Sequence, residues 1–418
     1  MTTKNRLLYL ICMLTDFAVF IEVFTVSRGL AEAGAEPYYL GIVGAGFSLT
    51  AGVASVLGGW LAHRYDSRTI FQIGAGLIVL TIRESILVSD TSLLLAIYWL
   101  QGIGLGFLYP PLIGWLNQDV DAHANSQGVS RTLILFCVAW NFGMMCGQLT
   151  AGSLFKVGPE WALMFALFVA TINLVVATIV VRLPSPRVQT EAKVSAEPHP
   201  DAQLATSFKR LSWIANLGGM FGGSMIVHLL PDLAVHIGIQ SDDHGYLLAS
   251  WRAVIIATYF VMHYLAFWHY RFGIAVVSQV FGAAGLIVIS QADSGFTLLI
   301  GLTLLGQLVG YNYFSGLFYS TAGSSNESRA LAAGIHEATL AAGMAVGTIV
   351  GGALGSLYGH RVPYVMSAAV LLTLVAVQGV AWRSWVRPIH RRRESEMLED
   401  LSVLNDGVSV DAACATSE

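Results

Sequence analysis

Twelve stretches of about 20 mostly apolar residues run through this chain, each long enough to cross the hydrocarbon core of a bilayer as a helix. Lipid offers no water to a bare backbone, so a spanning segment must close its own hydrogen bonds. A chain built from such segments folds as a bundle of transmembrane helices. The charge content agrees: 11% of the residues are charged and 55% hydrophobic, against roughly 25% charged in a soluble globular chain. The expected fold class is therefore an all-α membrane protein. Its spans cover approximately 7–26, 38–62, 69–89, 92–116, 129–155, 161–181, 211–235, 246–268, 272–291, 296–321, 330–357 and 362–386.

Lys4 and Arg6 ahead of the first run have the look of a signal peptide. Asp16 and Glu22 interrupt that run and no small-residue cleavage site follows, so it is read as a span. Cys12, Cys137 and Cys146 fall inside spans and Cys414 in the tail, a spacing that suggests neither a disulfide framework nor a metal site. No segment resembles a P-loop or a catalytic triad, so no enzymatic chemistry, cofactor or nucleic-acid partner is expected.

One long polar segment, 183–209, holds four prolines and charges of both signs. Without an apolar run it cannot bury enough surface to offset its chain entropy, and it is expected to be a flexible linker. It separates a six-span half, 1–182, from a second, 210–387, and a tail, 388–418, follows with a basic cluster at Arg391 to Arg393 and an acidic stretch that is expected to be disordered beyond a short helix. With the N-terminus placed in the cytoplasm, seventeen of the 22 Lys and Arg lie on that side. Only Arg28, Lys156 and Arg361 lie opposite, and Arg83 and Arg252 lie within spans. Both termini and the linker are thus expected to be cytoplasmic.

The two halves echo one another. Span five carries Gly143, Gly147 and Gly152 and span eleven Gly343, Gly347 and Gly352, the same spacing 200 positions on. Such glycines let helices approach closely in lipid. Spans two and eight each end in Leu-Ala and a His-containing basic turn: Leu61, Ala62, His63 and Arg64 against Leu265, Ala266, His269 and Arg271.

A duplicated six-span unit joined by a cytoplasmic linker resembles the major facilitator superfamily, over nearly the whole chain. The family pattern G-x-L-A-D-R-x-G-R-K after span two is matched by Gly59, Leu61, Ala62, Arg64 and Arg68, with His63 where the family has Asp and Asp66 where it has Gly. In span four the pattern R-x-x-Q-G-x-G is matched by Gln101, Gly102 and Gly104, with Tyr98 in place of the Arg associated with proton coupling in drug antiporters. Span five resembles the antiporter pattern G-x-x-x-G-P-x-x-G-G, with Gln148 for Pro and Ala151 for a Gly. The resemblance implies two parallel halves rocking about a central site. It also implies an inner-face latch that is here weakened, moved to Asp66 or made sensitive to His63 protonation.

Charged residues inside spans are costly and mark functional candidates. Asp16 lies roughly 14 Å along span one by helical rise, near the midplane, and is a candidate proton carrier because burial penalises a charged carboxylate. Glu22 lies at nearly the depth of Arg83 on span three, and an intramembrane ion pair between them, or a local Arg83 and Glu84 arrangement, is expected to be structural. Arg252 is a candidate for binding an anionic group or for being the counter-ion of an acid. His336 and Glu337 are candidates for a proton relay or inner gate. Tyr98, Gln101, Asn141, His228, Gln307, Tyr311, Asn312 and Tyr313 complete the candidate cavity lining, an aromatic set suited to an amphipathic organic solute.

These readings converge on a monomeric secondary transporter of the plasma or inner membrane that moves a small organic solute by alternating access, coupled to protons. Export comes first on the span-five pattern; a uniporter or uptake symporter comes second on Tyr98. A membrane sensor on the same fold is the reading outside transport.

Overall fold

The computed structural model describes residues 2–88, 90–118, 126–183, 202–322, 329–392 and 395. Among them the regular structure is helical. The N-terminal half contains α1 (Thr3–Glu32), α2 (Pro37–Arg64), α3 (Ser67–Leu87), α4 (Thr91–Gln118), α5 (Ser126–Phe155) and α6 (Pro159–Arg182). The C-terminal half contains α7 (Ala202–His228), α8 (Leu230–His236), α9 (Ser241–Tyr264), α10 (Phe272–Ser290), α11 (Gly295–Ala322), α12 (Arg329–Tyr358) and α13 (Val362–Trp385), with a 3-10 turn at Ala266–Trp268 after α9.

Eleven of these helices are long and apolar enough to cross a membrane, and α7 and α8, bent by 46° at their junction, make a twelfth crossing when taken as one span. The bend departs from the straight seventh span expected at 211–235. Pro231 stands in the first turn of α8. It has no N–H to give to the preceding turn and its ring crowds the carbonyl four residues back, so the helix breaks there. Proline also opens α2, α6 and α13, where the missing N–H would have had no helical partner.

The linker is shorter than expected. Helix α7 begins at Ala202 and buries Leu204, Ala205 and Phe208, so the last part of segment 183–209 belongs to the second bundle. Past a turn at Val386, backbone 387–392 is again helical, inside the expected tail. The expectations for 184–201 and for nearly all of 393–418 lie outside the described residues.

Lipid-facing and core-facing sides separate by helical period. On α6 the exposed Trp161, Met164, Phe168, Ile172, Val175 and Ile179 recur every three or four residues and form one stripe, while Ala162, Ala166, Ala170, Asn173 and Ala177 are buried on the other side. Within the first half α1 packs on α5 and α6, and α2 on α4; within the second α7 packs on α12 and α13, and α9 on α11. The halves meet chiefly where α2 crosses α12 and α5 crosses α9.

Close approach at these crossings requires glycine. A Cβ at Gly152 would stand 2.6 Å from Ser241 O and 2.8 Å from Gly245 Cα; one at Gly352 would stand 2.6 Å from Pro37 O and 2.9 Å from Gly41 Cα. The other members of the two glycine rows pack inside their own halves, Gly147 against Phe17 O of α1 and Gly347 against Phe221 O of α7. Gly143 and Gly343 do the same against Met13 and Leu217. The 200-residue echo is therefore an echo of contacts as well as of letters.

Candidate functional site

Asp16 lies midway along α1 and is 2% exposed. The Tyr109 hydroxyl of α4 donates to its Oδ2, and Cys12 Sγ lies 3.8 Å from the same hydroxyl. One position before the acid, Thr15 Oγ1 accepts from Asn173 of α6 at 2.8 Å. Across the bundle, Arg252 of α9 is 5% exposed. Its guanidinium sits 4.3 Å from the Trp251 ring and 5.3 Å from the Phe20 ring of α1. Its Nη1 donates to Asn141 Oδ1 of α5 at 3.4 Å, and Asn141 Nδ2 donates to Tyr259 OH at 3.1 Å. Phe20, under the Arg252 guanidinium, stands one helical turn beyond Asp16 on α1. No ion pair among the described residues includes either Asp16 or Arg252.

The C-terminal half supplies a second acid. Glu337 of α12 accepts from Tyr313 OH of α11 at 3.3 Å, and Tyr313 packs on Trp140 of α5, ring centroids 5.0 Å apart. His336 packs on the same Tyr313, ring centroids 5.3 Å apart, and its Nδ1 lies 3.1 Å from Asn216 Nδ2 of α7; among the described residues no hydrogen bond joins it to Glu337. Tyr109 was not among the candidates read from sequence, yet a signal for it exists. Gly102, Gly106 and Tyr109 recur as Gly306, Gly310 and Tyr313 at a constant offset of 204 positions. The glycines pack equivalently, Gly102 and Gly106 on α2, Gly306 and Gly310 on α9. Each half thus presents one tyrosine bonded to one carboxylate.

Several other candidates face elsewhere. The expected ion pair of Glu22 with Arg83 is not made. Glu22 is fully buried and accepts from Ser85 Oγ at 2.6 Å and from Gln101 Nε2, while Arg83 points outward and pairs with Glu84 at 2.6 Å. The two acids of α1 lie on different sides of the helix, and hydroxyl and amide donors from α3 and α4 reach Glu22 first. Gln101 is thereby spent on Glu22, and Tyr98 packs on Phe47 at 4.9 Å within the first half. In the second half Gln307 exchanges bonds with Ser278 on α10. Asn312 donates to Ala215 O of α7, and it lines with Tyr311 a gap between α7, α10, α11 and α13. None of these five is part of the Asp16, Arg252 and Glu337 cluster. His228 lies between the halves, 6.4 Å from Phe47 and against Gly44.

At the end of α2, Asp66 caps α3: its Oδ1 accepts from Arg68 N at 3.1 Å and its Oδ2 from Thr69 Oγ1 at 3.2 Å. That use explains Asp at this position without a latch. Arg64 lies 5.3 Å over the Trp60 ring, and a Cβ on Gly59 would meet only Pro110, at 3.8 Å. The His63 side chain lies outside the described ones. Its counterpart His269 stacks on Phe318 at 4.6 Å, and burial pushes its imidazole below the ordinary value.

Toward the end remote from the termini the halves are tied by polar contacts. Arg28 Nη2 donates to Ile239 O at 2.8 Å, Lys156 pairs with Asp242 at 2.9 Å, and Tyr38 N donates to Ser356 Oγ at 2.9 Å. The Asp242 carboxylate holds the exposed Lys156 ammonium above its ordinary value. Together with the two glycine crossings these contacts close the site on that side.

None of the curated proteins matches the sequence. Solved structures do match its fold. The human organic anion transporter MFSD10 (TETRAN) superposes with a TM-score of 0.67 at 15% identity, over 90% of this chain and 100% of that one. The nucleoside transporter NupG gives 0.70 at 12% identity, over 91% and 99%. A bacterial homologue of the human lysosomal transporter Spinster, inward-facing and occupied, gives 0.69 at 15%, over 92% and 97%. The profile of the Major Facilitator Superfamily matches residues 8–326. With that match over most of its length and two six-span halves about a central polar cluster, the chain belongs to the major facilitator superfamily.

Proposed function

We propose that the protein is a proton-coupled secondary transporter that moves a small organic solute through its central cluster by alternating access, with Asp16 carrying the proton. Membership of a transporter family supports transport; the arrangement at Asp16 supports coupling. A buried acid at mid-helix, held by one tyrosine and one helical turn from the ring that the Arg252 guanidinium of the other half covers, can change charge with little change of packing. Both halves of the site come from one chain, which supports a monomer as the working unit. A proton gradient also requires an energised membrane, consistent with the plasma or inner membrane.

The glycines of span five do not argue for export. Gly143 and Gly147 pack on α1 as Gly343 and Gly347 pack on α7, so close packing accounts for them in both halves. The function therefore rests on Asp16 rather than on that pattern.

Proteoliposomes with the purified protein test it. Solute-induced proton movement over a chemically varied panel should appear in the wild type and vanish in Asp16→Asn, with counterflow of labelled solute retained. Unchanged proton movement in the variant would remove Asp16 from the role. Ligand binding with no flux of any solute would replace transport by sensing.

A further inference from the structure

Arg252 is a buried cation without an anion. Among the described residues none of the ion pairs reaches it. Its Nε has no partner, and its one hydrogen bond, to Asn141, is long at 3.4 Å. The rings of Trp251 and Phe20 partly compensate the charge. They supply no countercharge, and Asp16 is held by Tyr109. An unpaired charge in the membrane interior is expensive to keep.

We propose that Arg252 is the docking point of an organic monoanion, whose charged group takes the free guanidinium donors while its apolar body lies against Phe20 and the Trp140 and Tyr259 side of the cluster, and that this anion shares the site with a proton. The substrate class rests on the transport reading above. A planar guanidinium presents N–H pairs matched to a carboxylate, which selects a single negative group over a neutral polar one. The sharing of the site follows from charge. A carboxylate on Arg252 stands over Phe20, one helical turn from Asp16 on α1, and two like charges in a low-dielectric site are relieved when one takes a proton. Anion and proton then favour each other's binding and travel in the same direction.

The titratable groups around the pair are Cys12 and Tyr109 on the Asp16 side, Cys137 and Tyr259 beside Asn141, and Tyr313, His336 and Glu337 from α11 and α12. Glu337 is the competing proton acceptor, because it too is a carboxylate held by one tyrosine.

The test uses the purified full chain with benzoate, benzamide and benzylamine as probes of one shape and three charges, followed by tryptophan fluorescence and by pH in a weakly buffered solution. Benzoate is expected to bind with net proton uptake, and benzamide and benzylamine to bind at least about tenfold more weakly. Arg252→Gln should abolish the preference for benzoate over benzamide, and Arg252→Lys, keeping the charge but not the fork, should restore part of it. Asp16→Asn should keep benzoate binding and lose the proton uptake, whereas Glu337→Gln, which alters the same cluster and can change affinity, should keep the number of protons taken up per benzoate bound. Equal binding of benzoate and benzamide by the wild type would overturn the proposal without any variant. Release of protons on binding, or uptake that disappears in Glu337→Gln and persists in Asp16→Asn, would overturn the shared site. Benzoate binding without flux would count against transport and leave the anion site standing; flux without a charge preference would do the reverse.

Discussion

At the scale of residues, α1 carries two buried acids with different fates. Glu22 takes its donors from Ser85 and Gln101, both within its own half, and Asp16 meets Tyr109 one helical turn from Phe20, over which the guanidinium of the other half lies. Gln101→Leu should therefore cost stability and spare coupling. It removes a donor from a buried carboxylate, a loss of about 1–3 kcal/mol, to be seen as lower thermal stability in detergent with the proton-to-solute ratio of surviving protein unchanged. A changed ratio would place Glu22 in the coupling path. Sequence position separated these acids by face but could not say what each would meet. Depth along the helix suggested Arg83 for Glu22, yet shorter donors on the neighbouring helices were nearer. A hydroxyl that serves an acid leaves no pattern of its own, and Tyr109 becomes visible only through its repeat partner Tyr313.

At the scale of elements, the apolar runs and the glycine rows were legible because lipid fixes the one and close approach the other. What escaped was local. Pro231 breaks the seventh span, which a window of hydropathy averages over, and α7 starts within the polar segment because Leu204, Ala205 and Phe208 find a core there. The glycine rows also make a prediction about motion. In Gly152→Leu a Cβ would stand 2.6 Å from Ser241 O, an overpacking penalty of about 1–3 kcal/mol that separating α5 from α9 relieves. Spin labels at Val157 and Tyr246, both exposed, should show a longer distance in this variant. Gly76→Leu, where a Cβ meets nothing within 4 Å, should leave it unchanged.

At the scale of the whole molecule, the two halves hold one another less firmly than each holds itself. Each half packs its helices through long apolar faces, whereas between halves the end remote from the termini is tied by two glycine crossings and a few polar contacts. Alternating access needs such an imbalance, since the bodies must stay rigid while the seam opens. The polar ties are unequal. Lys156 is 65% exposed, and a solvated ion pair contributes little. The Arg28 side chain is 5% exposed and joins Glu32 of its own helix to the Ile239 carbonyl across the seam. Arg28→Ala should thus remove about 1.5–3 kcal/mol from the closed end remote from the termini, the usual worth of a hydrogen bond to a charged group, or roughly a 10- to 150-fold shift toward a state open at that end. Spin labels at Val157 and Leu357, on opposite halves and both 71% exposed, would report this as a new, longer distance population. Lys156→Ala should leave the distribution close to that of the wild type. If the two variants open the molecule equally, the seam is held by net charge at its rim and not by the buried arginine.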